Sequence, residues 1–283
     1  MEKWVIAAKR ADFQKIAQTF HIDPVTARLI RNRDVVGMEE MEKYLHGDLS
    51  LLPSPWRMKD MEKDVDILEE KIRQSRKIRV IGDYGIDGVM ASYILLRGLR
   101  CLGAAADVMI PHRITDGYGI NESLIEKAAK DQVDTTVTCD NGIAAAGQIG
   151  RAKELGMTVI VTDHHEVPYR EEGGERLEFL PPADAVINPK QRSCGYPFKL
   201  LCGAAVAACL ICALYDRFSV DPAEKEALLE YEAIATIGDV MDLVGDNRIL
   251  VKEGLKRLHH TENYGLQALC EVNALTADQI TPY

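Results

Sequence analysis

Apolar residues recur along this chain in two alternating patterns, short unbroken runs and longer stretches with helical spacing or an Ala/Leu-rich composition. The short runs predict β-strands at residues 78–81, 107–110, 135–139, 157–162 and 185–187. The longer stretches predict helices near residues 88–102, 121–130, 143–155, 200–218 and 223–237, with further helix within 248–270. This alternation is typical of right-handed crossovers between buried strands. The predicted fold class is therefore α/β, a mostly parallel sheet with helices on both faces.

The first 55 residues show a different, mostly helical pattern. Asp23 and Pro24 are typical of a helix start, because aspartate caps helices and proline fits their first turn. The segment 52–55 holds two prolines and breaks the chain. Regular apolar spacing then predicts an amphipathic helix over residues 60–75. We therefore predict a helical lead-in at residues 1–55 and a larger domain at residues 56–283.

Polar side chains that can bind metal follow three of the predicted strands. They are Asp83 after the run 78–81, Asp140 after the run 135–139, and Asp163, His164 and His165 after the run 157–162, with Asp239 after a later apolar stretch. A single aspartate at a strand end is most often a helix cap. In an open parallel sheet, however, ligands bind beyond the carboxyl ends of the strands. Together these side chains suit Mn²⁺ or Mg²⁺, and two such ions could support displacement at phosphorus.

Composition limits the setting in which this chemistry would take place. The net charge of −10 argues against a broad nucleic-acid-binding surface, although a metal-holding acidic site would itself contribute negative charge. No apolar run reaches the length of a membrane span, so we expect no membrane partner. The seven cysteines are scattered, and residues 1–4 show no secretion-signal pattern. We therefore predict a cytoplasmic protein with reduced cysteines.

The order of the motifs resembles the DHH phosphoesterases. The matching segments are Gly82-Asp83-Tyr84-Gly85-Ile86-Asp87-Gly88, Asp140-Asn141-Gly142-Ile143, Asp163-His164-His165 and Gly238-Asp239. Segments similar to the RecJ group of that family lie at residues 110–113, 117–121, 188–190, 196–197, 201–203 and 246–248. The resemblance covers the chain from about Leu51 onward. It implies a two-metal phosphodiesterase using Mn²⁺ or Mg²⁺, which degrades single-stranded DNA from its 5′ end and releases mononucleotides.

The same resemblance implies which residues would hold metal. Asp83, Asp140, His164 and Asp239 would be the ligands, and Asp140 would bridge the two ions. Their carboxylate and imidazole groups are the types that such cations accept.

The catalytic residues implied by the resemblance are His165, Asp163 and Asp87. His165 would contact the scissile phosphate or the charge that develops on it. Asp163 would orient a histidine by a hydrogen bond, without itself binding the metal, as histidines at metal sites usually require. Asp87 has two alternatives, a metal ligand or a cap for the helix that starts near Gly88.

Three further residues would bind substrate. Arg113 would bind a phosphate, with a surface ion pair as the alternative. Asn141 and Gly142 would offer backbone amides at a helix start, which is a common phosphate cradle. Tyr118, outside this set, would either stack on a base or pack within a structural turn.

Two departures from the family pattern bear on activity. RecJ-like proteins carry a metal-binding acid where this chain has Gly85, in a motif of the form D-[YF]-D-x-D-G, so we expect one metal to bind weakly. We also expect the second domain of the family, DHHA1, to be absent from these 283 residues. The alternative functions are a catalytically impaired nucleic-acid-binding or scaffold module, and a DHH phosphodiesterase for oligoribonucleotides or cyclic dinucleotides.

Overall fold

The computed structural model describes residues 9–117 and 119–282 of the chain. The predictions that rest on residues 1–4 and on Tyr118 therefore lie outside the described residues. The chain divides into two compact units, Met1–Leu52 and Pro53–Tyr283. No helix within the described ranges is long and apolar enough to cross a bilayer.

The described part of the first unit is helical. Its helices are α1 (Phe13–Phe20), α2 (Pro24–Asn32) and α3 (Met38–His46). Helix α2 begins as predicted, because the Asp23 carboxylate accepts hydrogen bonds from the backbone amides of Val25 and Thr26, each at 2.9 Å. The helices bury a small apolar core of Ile16, Ala27, Ile30 and Met41.

A parallel five-stranded sheet forms the centre of the second unit. Its strands are β1 (Lys77–Ile81), β2 (Ala105–Met109), β3 (Thr135–Cys139), β4 (Thr158–Thr162) and β7 (Ala185–Ile187), in the order β2-β1-β3-β4-β7. Every neighbouring pair is parallel. Strands β5 (Tyr169–Glu172) and β6 (Glu175–Glu178) form a separate antiparallel hairpin. The predicted fold class is confirmed.

The second unit has helices on both faces of this sheet and further helices beyond them. They are α4 (Met61–Arg73), α5 (Ile86–Cys101), α6 (Glu122–Lys130), α7 (Ala146–Glu154), α8 (Gly203–Arg217), α9 (Pro222–Glu226), α10 (Leu229–Gly238), α11 (Gly245–Leu258) and α12 (Tyr264–Val272). On one face, Val159 and Val161 of β4 share a core with Ile125 of α6 and Ile149 of α7. Strand residues alternate between faces, so Ile160 points to the opposite side, where α5 and α8 pack together.

Several element boundaries differ from the sequence predictions. The predicted helix over 223–237 is two helices, α9 and α10, and the helical region within 248–270 is divided between α11 and α12. Helix α7 begins at Ala146 rather than at residue 143, because the chain first turns through Gly142 at φ +113°. The β5–β6 hairpin was not predicted, although Gly173 and Gly174, both at positive φ, are typical of its turn.

Candidate metal centre

The metal-capable side chains meet at the carboxyl ends of three adjacent strands. Strand β3 lies between β1 and β4, so the residues that follow each of them come together. The next two strands in the chain after β1 lie on opposite sides of it within the sheet, β2 on one side and β3 on the other. Such a switch point is where open parallel sheets form ligand crevices.

Asp83 lies in the tight turn that connects β1 to α5. Its carboxylate accepts hydrogen bonds from the backbone amides of Gly85, at 2.9 Å, and Gly119, at 3.3 Å. A β-carbon on Gly88 would lie 2.6 Å from the carbonyl oxygen of Asp83, so only glycine fits there. The turn therefore holds Asp83 almost fully buried at the end of its strand.

Asp140 follows β3 directly and contacts the first histidine of the Asp-His-His motif. Its backbone adopts the left-handed conformation, with φ +57°, which aspartate tolerates better than most residues. One Asp140 carboxylate oxygen lies 3.0 Å from Nε2 of His164. Both side chains are buried, so their charges interact with little screening by water.

Asp163 braces the strand end from which the two histidines project. Its fully buried carboxylate accepts hydrogen bonds from the backbone amides of Ile143, at 2.9 Å, and His164, at 2.7 Å. It also contacts Nδ1 of His165 at 2.8 Å. Asp163 therefore fixes the ring of the second histidine, and its part in catalysis stays a prediction.

Two overlapping groups of side chains could each hold a cation. Asp140, His164 and His165 form one group, and Asp87, His164 and Asp239 form the other, with the ligand atoms of each group within 4.8 Å of one another. His164 belongs to both groups, and its Nε2 faces carboxylates of each.

The carboxylate oxygens around that nitrogen come from distant parts of the chain. They lie 3.0 Å away in Asp140, 3.5 Å away in Asp87 and 3.8 Å away in Asp239. Asp83, the fourth predicted ligand, belongs to neither group among the described residues. The structure thus brings three of the four predicted ligands together.

The electrostatics of the cluster are those of a cation site. Burial and the charge of Asp140 raise the pKa of Asp87 to about 6, against the opposing effect of His164 and two backbone amides. Burial also raises the pKa of Asp140, although its bond to His164 opposes the shift. Burial alone would lower the pKa of His164, but Asp140 and Asp87 raise it. Carboxylates crowded in a buried site repel one another, and a divalent cation would relieve that repulsion. The donor set therefore fits Mn²⁺ or Mg²⁺.

The Asp163–His165 pair carries opposite charges that stabilise each other. The hydrogen bond to Asp163 raises the pKa of His165 to about 9, against the effect of burial. Burial opposes ionisation of Asp163, but the bonds from His165 and the backbone amides outweigh it and lower the pKa of this carboxyl. A histidinium at this position could offset negative charge on a phosphate.

The structure corrects one prediction for Asp87. Asp87 lies inside helix α5, whose N-cap is Gly85, and it makes no cap for that helix. Its carboxylate instead accepts the backbone amides of Gly203, at 2.6 Å, and Ala204, at 2.7 Å, at the start of α8. Asp87 is thus a helix cap, but for a helix far away in the sequence.

The surroundings of Asn141 and Gly142 also differ from expectation. Both precede α7 by several residues and lie in a turn, so they do not form a helix start. The Asn141 side chain donates to the carbonyl oxygens of Ile81, at 3.3 Å, and Cys139, at 2.9 Å, and so ties β1 to β3. A β-carbon on Gly142 would lie 2.5 Å from the hydroxyl oxygen of Thr138, which requires glycine.

Arg113 lies beside the Asp83 turn. Its guanidinium sits over the ring of Tyr84, 4.5 Å from the ring centre. This contact places a positive charge next to the first metal-binding motif, and it differs from the surface ion pair considered as the alternative.

Sequence reasoning missed the backbone amides that hold these acids. The amides of Gly119, Ile143, Gly203 and Ala204 each donate to a site carboxylate. Gly203 lies within a segment that matched the family pattern, but nothing in that match indicated which acid it contacts.

Comparison with known proteins identifies a family and a group of relatives. The family model described as "DHH family, N-terminal domain" matches residues 77–236. The single-stranded-DNA-specific exonuclease RecJ of Bacillus subtilis is 36% identical over 272 residues, which cover 96% of this chain and 33% of that protein. The protein of the same name from Escherichia coli is 34% identical over 263 residues, which cover 89% of this chain and 43% of that protein.

Solved structures of RecJ are also similar to this chain. The RecJ structure from Thermus thermophilus in complex with Mn²⁺ matches with a TM-score of 0.74 and 30% identity, over 94% of this chain and 36% of that one. A structure of exonuclease RecJ bound to manganese matches with a TM-score of 0.69 and 36% identity, over 81% of this chain and 55% of that one. The chain thus spans less than half the length of the two curated relatives from Bacillus subtilis and Escherichia coli.

Proposed function

Because this chain belongs to the DHH family, we propose that it is a metal-dependent phosphodiesterase core that hydrolyses single-stranded DNA from the 5′ end. The observation that carries the proposal is the convergence of three carboxylates, two of them buried, on one histidine nitrogen at the ends of adjacent parallel strands. Water activation and charge stabilisation at phosphorus are the chemistry that cations supply in such a site.

The side chains of this chain would divide the remaining tasks. Asp140, His164 and Asp239 would hold cations, and Asp83 would contribute from the neighbouring turn. His165, held by Asp163 and positively charged near neutral pH, would offset charge on the phosphate. Arg113 over Tyr84 would hold a flanking phosphate of the strand.

The substrate is inferred from the relatives of Bacillus subtilis and Escherichia coli, which are named as single-stranded-DNA-specific exonucleases, and the polarity is inferred from the resemblance of the motifs to the RecJ group. The net charge of −10 gives little support for tight DNA binding by these residues alone. We therefore expect weak binding that declines steeply with salt, since phosphate contacts dominate such affinity. The free thiols of all seven cysteines support the proposed cytoplasmic location.

Incubation of the protein with 5′-labelled single strands and Mn²⁺ tests the proposal. We expect labelled mononucleotides as the first product, loss of the reaction with a chelator, and no reaction on a blunt duplex. Asp140→Asn should abolish the release of mononucleotides, because it removes the negative charge of a predicted metal ligand. No mononucleotide release at any Mn²⁺ concentration, or equal release from duplex, would contradict the proposal.

A specific observation favours the impaired-enzyme alternative. Gly85 has φ −67° and ψ +164°, which any residue adopts, and a β-carbon there would contact only an Asp83 oxygen at 3.3 Å. The backbone therefore does not require glycine, and Gly85 itself has no side chain to supply the acid that is typical of the family.

Gly85→Asp tests that alternative directly. If the site lacks one ligand, the added carboxylate should raise turnover of single strands by about tenfold or more, since changes around metal sites have effects of this size. Gly147→Asp is the matched control, because it adds the same charge at an exposed position of α7. Equal turnover in both variants would contradict a loss of activity caused by position 85 alone: either the loss lies deeper in the site, or the site already works.

A further inference from the structure

We infer that a cavity between helices α5, α10 and α11 binds a nucleotide, with its terminal phosphate held by basic side chains and its base held against a tyrosine. The site is separate from the metal centre, because no residue that lines the cavity belongs to either candidate cation group of the described chain. The inference therefore goes beyond the proposed function and does not depend on it.

The cavity lies along two helices that also carry acids of the metal cluster. Its lining includes Tyr93 and Arg97 of α5, Tyr231 of α10, and Lys256 and Arg257 of α11. Tyr93 follows Asp87 by six residues, and Tyr231 precedes Asp239 by eight, which correspond to about 9 Å and 12 Å along a helix axis. A ligand in the cavity would therefore contact the same two helices as a bound cation, at a distance from it.

The cavity has room for one nucleotide. Its volume is about 510 Å³, which lies within the range of about 300–1,000 Å³ that is usual for small-molecule sites. Polar and charged side chains form nearly all of its lining among the described residues. A ligand with a charged group and several hydrogen-bonding atoms fits such a lining better than an apolar ligand does.

Three basic side chains in the lining favour an anionic group. Arg97, Lys256 and Arg257 outnumber the two acids that line the same cavity, Glu230 and Glu262. This local excess of positive charge stands in a chain whose net charge is −10. Guanidinium and ammonium groups that converge from two helices are the donors that bind phosphate in proteins.

The acids that pair with these three cations can be replaced by a ligand. The pairs are Arg97 with Glu224 at 3.0 Å, Arg257 with Glu226 at 3.1 Å, and Lys256 with Glu253 at 2.8 Å. Each pair has one member that is more than 40% exposed. Exposed pairs of this kind contribute little to stability, so a phosphate with a charge of about −2 can compete with the glutamates.

The two tyrosines supply a surface for a base. The rings of Tyr93 and Tyr231 are 4.6 Å apart, and the side-chain amide of Asn263 donates to both hydroxyl oxygens, each at 3.2 Å. Tyr231 is buried, whereas Tyr93 is 37% exposed and is held in place by these contacts. Arg97 lies one helical turn after Tyr93, so the exposed ring and the guanidinium share one face of α5. An aromatic ring beside a phosphate-binding cation is the combination that recognises a nucleotide.

Calorimetry on the metal-free protein tests the inference, with a chelator present so that the metal centre holds no ion. The probe is deoxyadenosine monophosphate (dAMP), and inorganic phosphate and deoxyadenosine represent its two parts. We expect dAMP to bind more tightly than either part alone, because it fills both halves of the cavity.

Two variants separate the contributions of the phosphate and the base. Arg97→Gln should weaken the binding of dAMP and of inorganic phosphate by about tenfold or more, since it removes a charged donor. Tyr93→Leu should weaken the binding of dAMP by about tenfold and leave that of inorganic phosphate unchanged, since only the base stacks there. Tyr93→Phe keeps the ring and should keep the affinity for dAMP.

Arg151→Gln and Asp140→Asn are the controls. Arg151 of α7 also pairs with exposed glutamates, but away from the cavity, so its replacement should leave dAMP binding unchanged. An equal loss in Arg151→Gln and Arg97→Gln would show a general effect of charge and would overturn the inference. So would binding that is lost in Asp140→Asn and kept in Arg97→Gln, because the nucleotide would then lie at the metal centre.

No binding of dAMP to the wild-type chain would also refute the site, whatever the outcome of the exonuclease assay. If Arg97→Gln does not fold, Lys256→Gln decides in its place, because Lys256 is 61% exposed and its replacement leaves the core intact. An affinity for dAMP and phosphate that Lys256→Gln leaves unchanged would then refute the site.

A 5′-phosphorylated trinucleotide distinguishes two sources of the nucleotide. Competition with dAMP would assign the cavity to the phosphorylated end of a strand, and no competition would assign it to a free mononucleotide. Both results support a site for a nucleotide with a terminal phosphate, provided that Arg97→Gln weakens the binding in question.

Discussion

Glu232 is a buried acid that makes the stability of this protein depend on pH. It lies on helix α10, and burial raises the pKa of its carboxyl from 4.5 to about 8. Between these values the unfolded chain is ionised at this position while the native protein keeps the proton. Stability therefore falls as pH rises from 4.5 to about 8 and then levels off, because the native state binds more protons across that window.

We expect Glu232→Gln to remove this dependence. The variant should match the wild type below pH 4.5 and be increasingly more stable up to pH 8, by a few kcal/mol at most, on the order expected for burial of one charge. Urea unfolding across this pH range measures the difference. Glu271→Gln, at an exposed position on α12, should show no such trend. A gain in stability that is the same at every pH would show that ionisation of Glu232 is not its cause.

Among the elements of the sheet, an ion-paired arginine ties the edge strand to its neighbour. Arg79 of β1 is nearly fully buried and lies opposite Asp107 of β2. Its guanidinium donates to both oxygens of Asp107 at 2.7 Å and to Asp131, which follows α6, at 2.8 Å. These contacts make the two carboxyl groups more acidic: hydrogen bonds from Arg79 lower the pKa of each.

Arg79→Ala should therefore destabilise the protein by about 1–3 kcal/mol, because it removes the buried donor of charge-assisted hydrogen bonds to two carboxylates that water partly screens. Lys256→Ala breaks an exposed pair with Glu253 and should cost less than about 1 kcal/mol. Denaturant unfolding of both variants measures the two costs. Similar losses of stability in the two variants would show that the ion pairs of Arg79 contribute no more than an exposed surface pair.

Across the second unit as a whole, the candidate metal centre joins segments that are distant in sequence. Helix α5, the ends of β3 and β4, and the end of α10 each contribute one or more side chains. A cation in either group would join at least two of these segments and would stabilise only the folded chain. We therefore expect metal binding and folding to be coupled.

Mn²⁺ should raise the melting temperature of the wild-type chain, and a chelator should reverse the rise. At a hundredfold excess over the dissociation constant, the stabilisation should be about 2.7 kcal/mol. Asp140→Asn should show little or no shift in the same titration. An equal shift in the wild type and in this variant would place the bound Mn²⁺ elsewhere in the protein.

Local patterns in the sequence predicted most elements of the sheet and the positions of its acids. Parallel strands buried on both faces appear as unbroken apolar runs, and the acids come shortly after the ends of these runs. The predicted start of a helix was less accurate where a loop occupies the positions predicted to begin it, as after Gly142 and before α7. The break between α9 and α10 has no glycine or proline to mark it.

Residue type and short spacing predicted the fold class and the candidate acids and histidines, and the order of the motifs indicated the family by resemblance, because these properties are local in the chain. The cap that Asp87 provides for α8, the bond between Asp163 and His165, and the two backbone amides on Asp83 became visible only in the folded protein. The order of the strands and the packing of α8 bring these groups together. Contacts between residues far apart along the chain depend on that packing, and no local pattern encodes them.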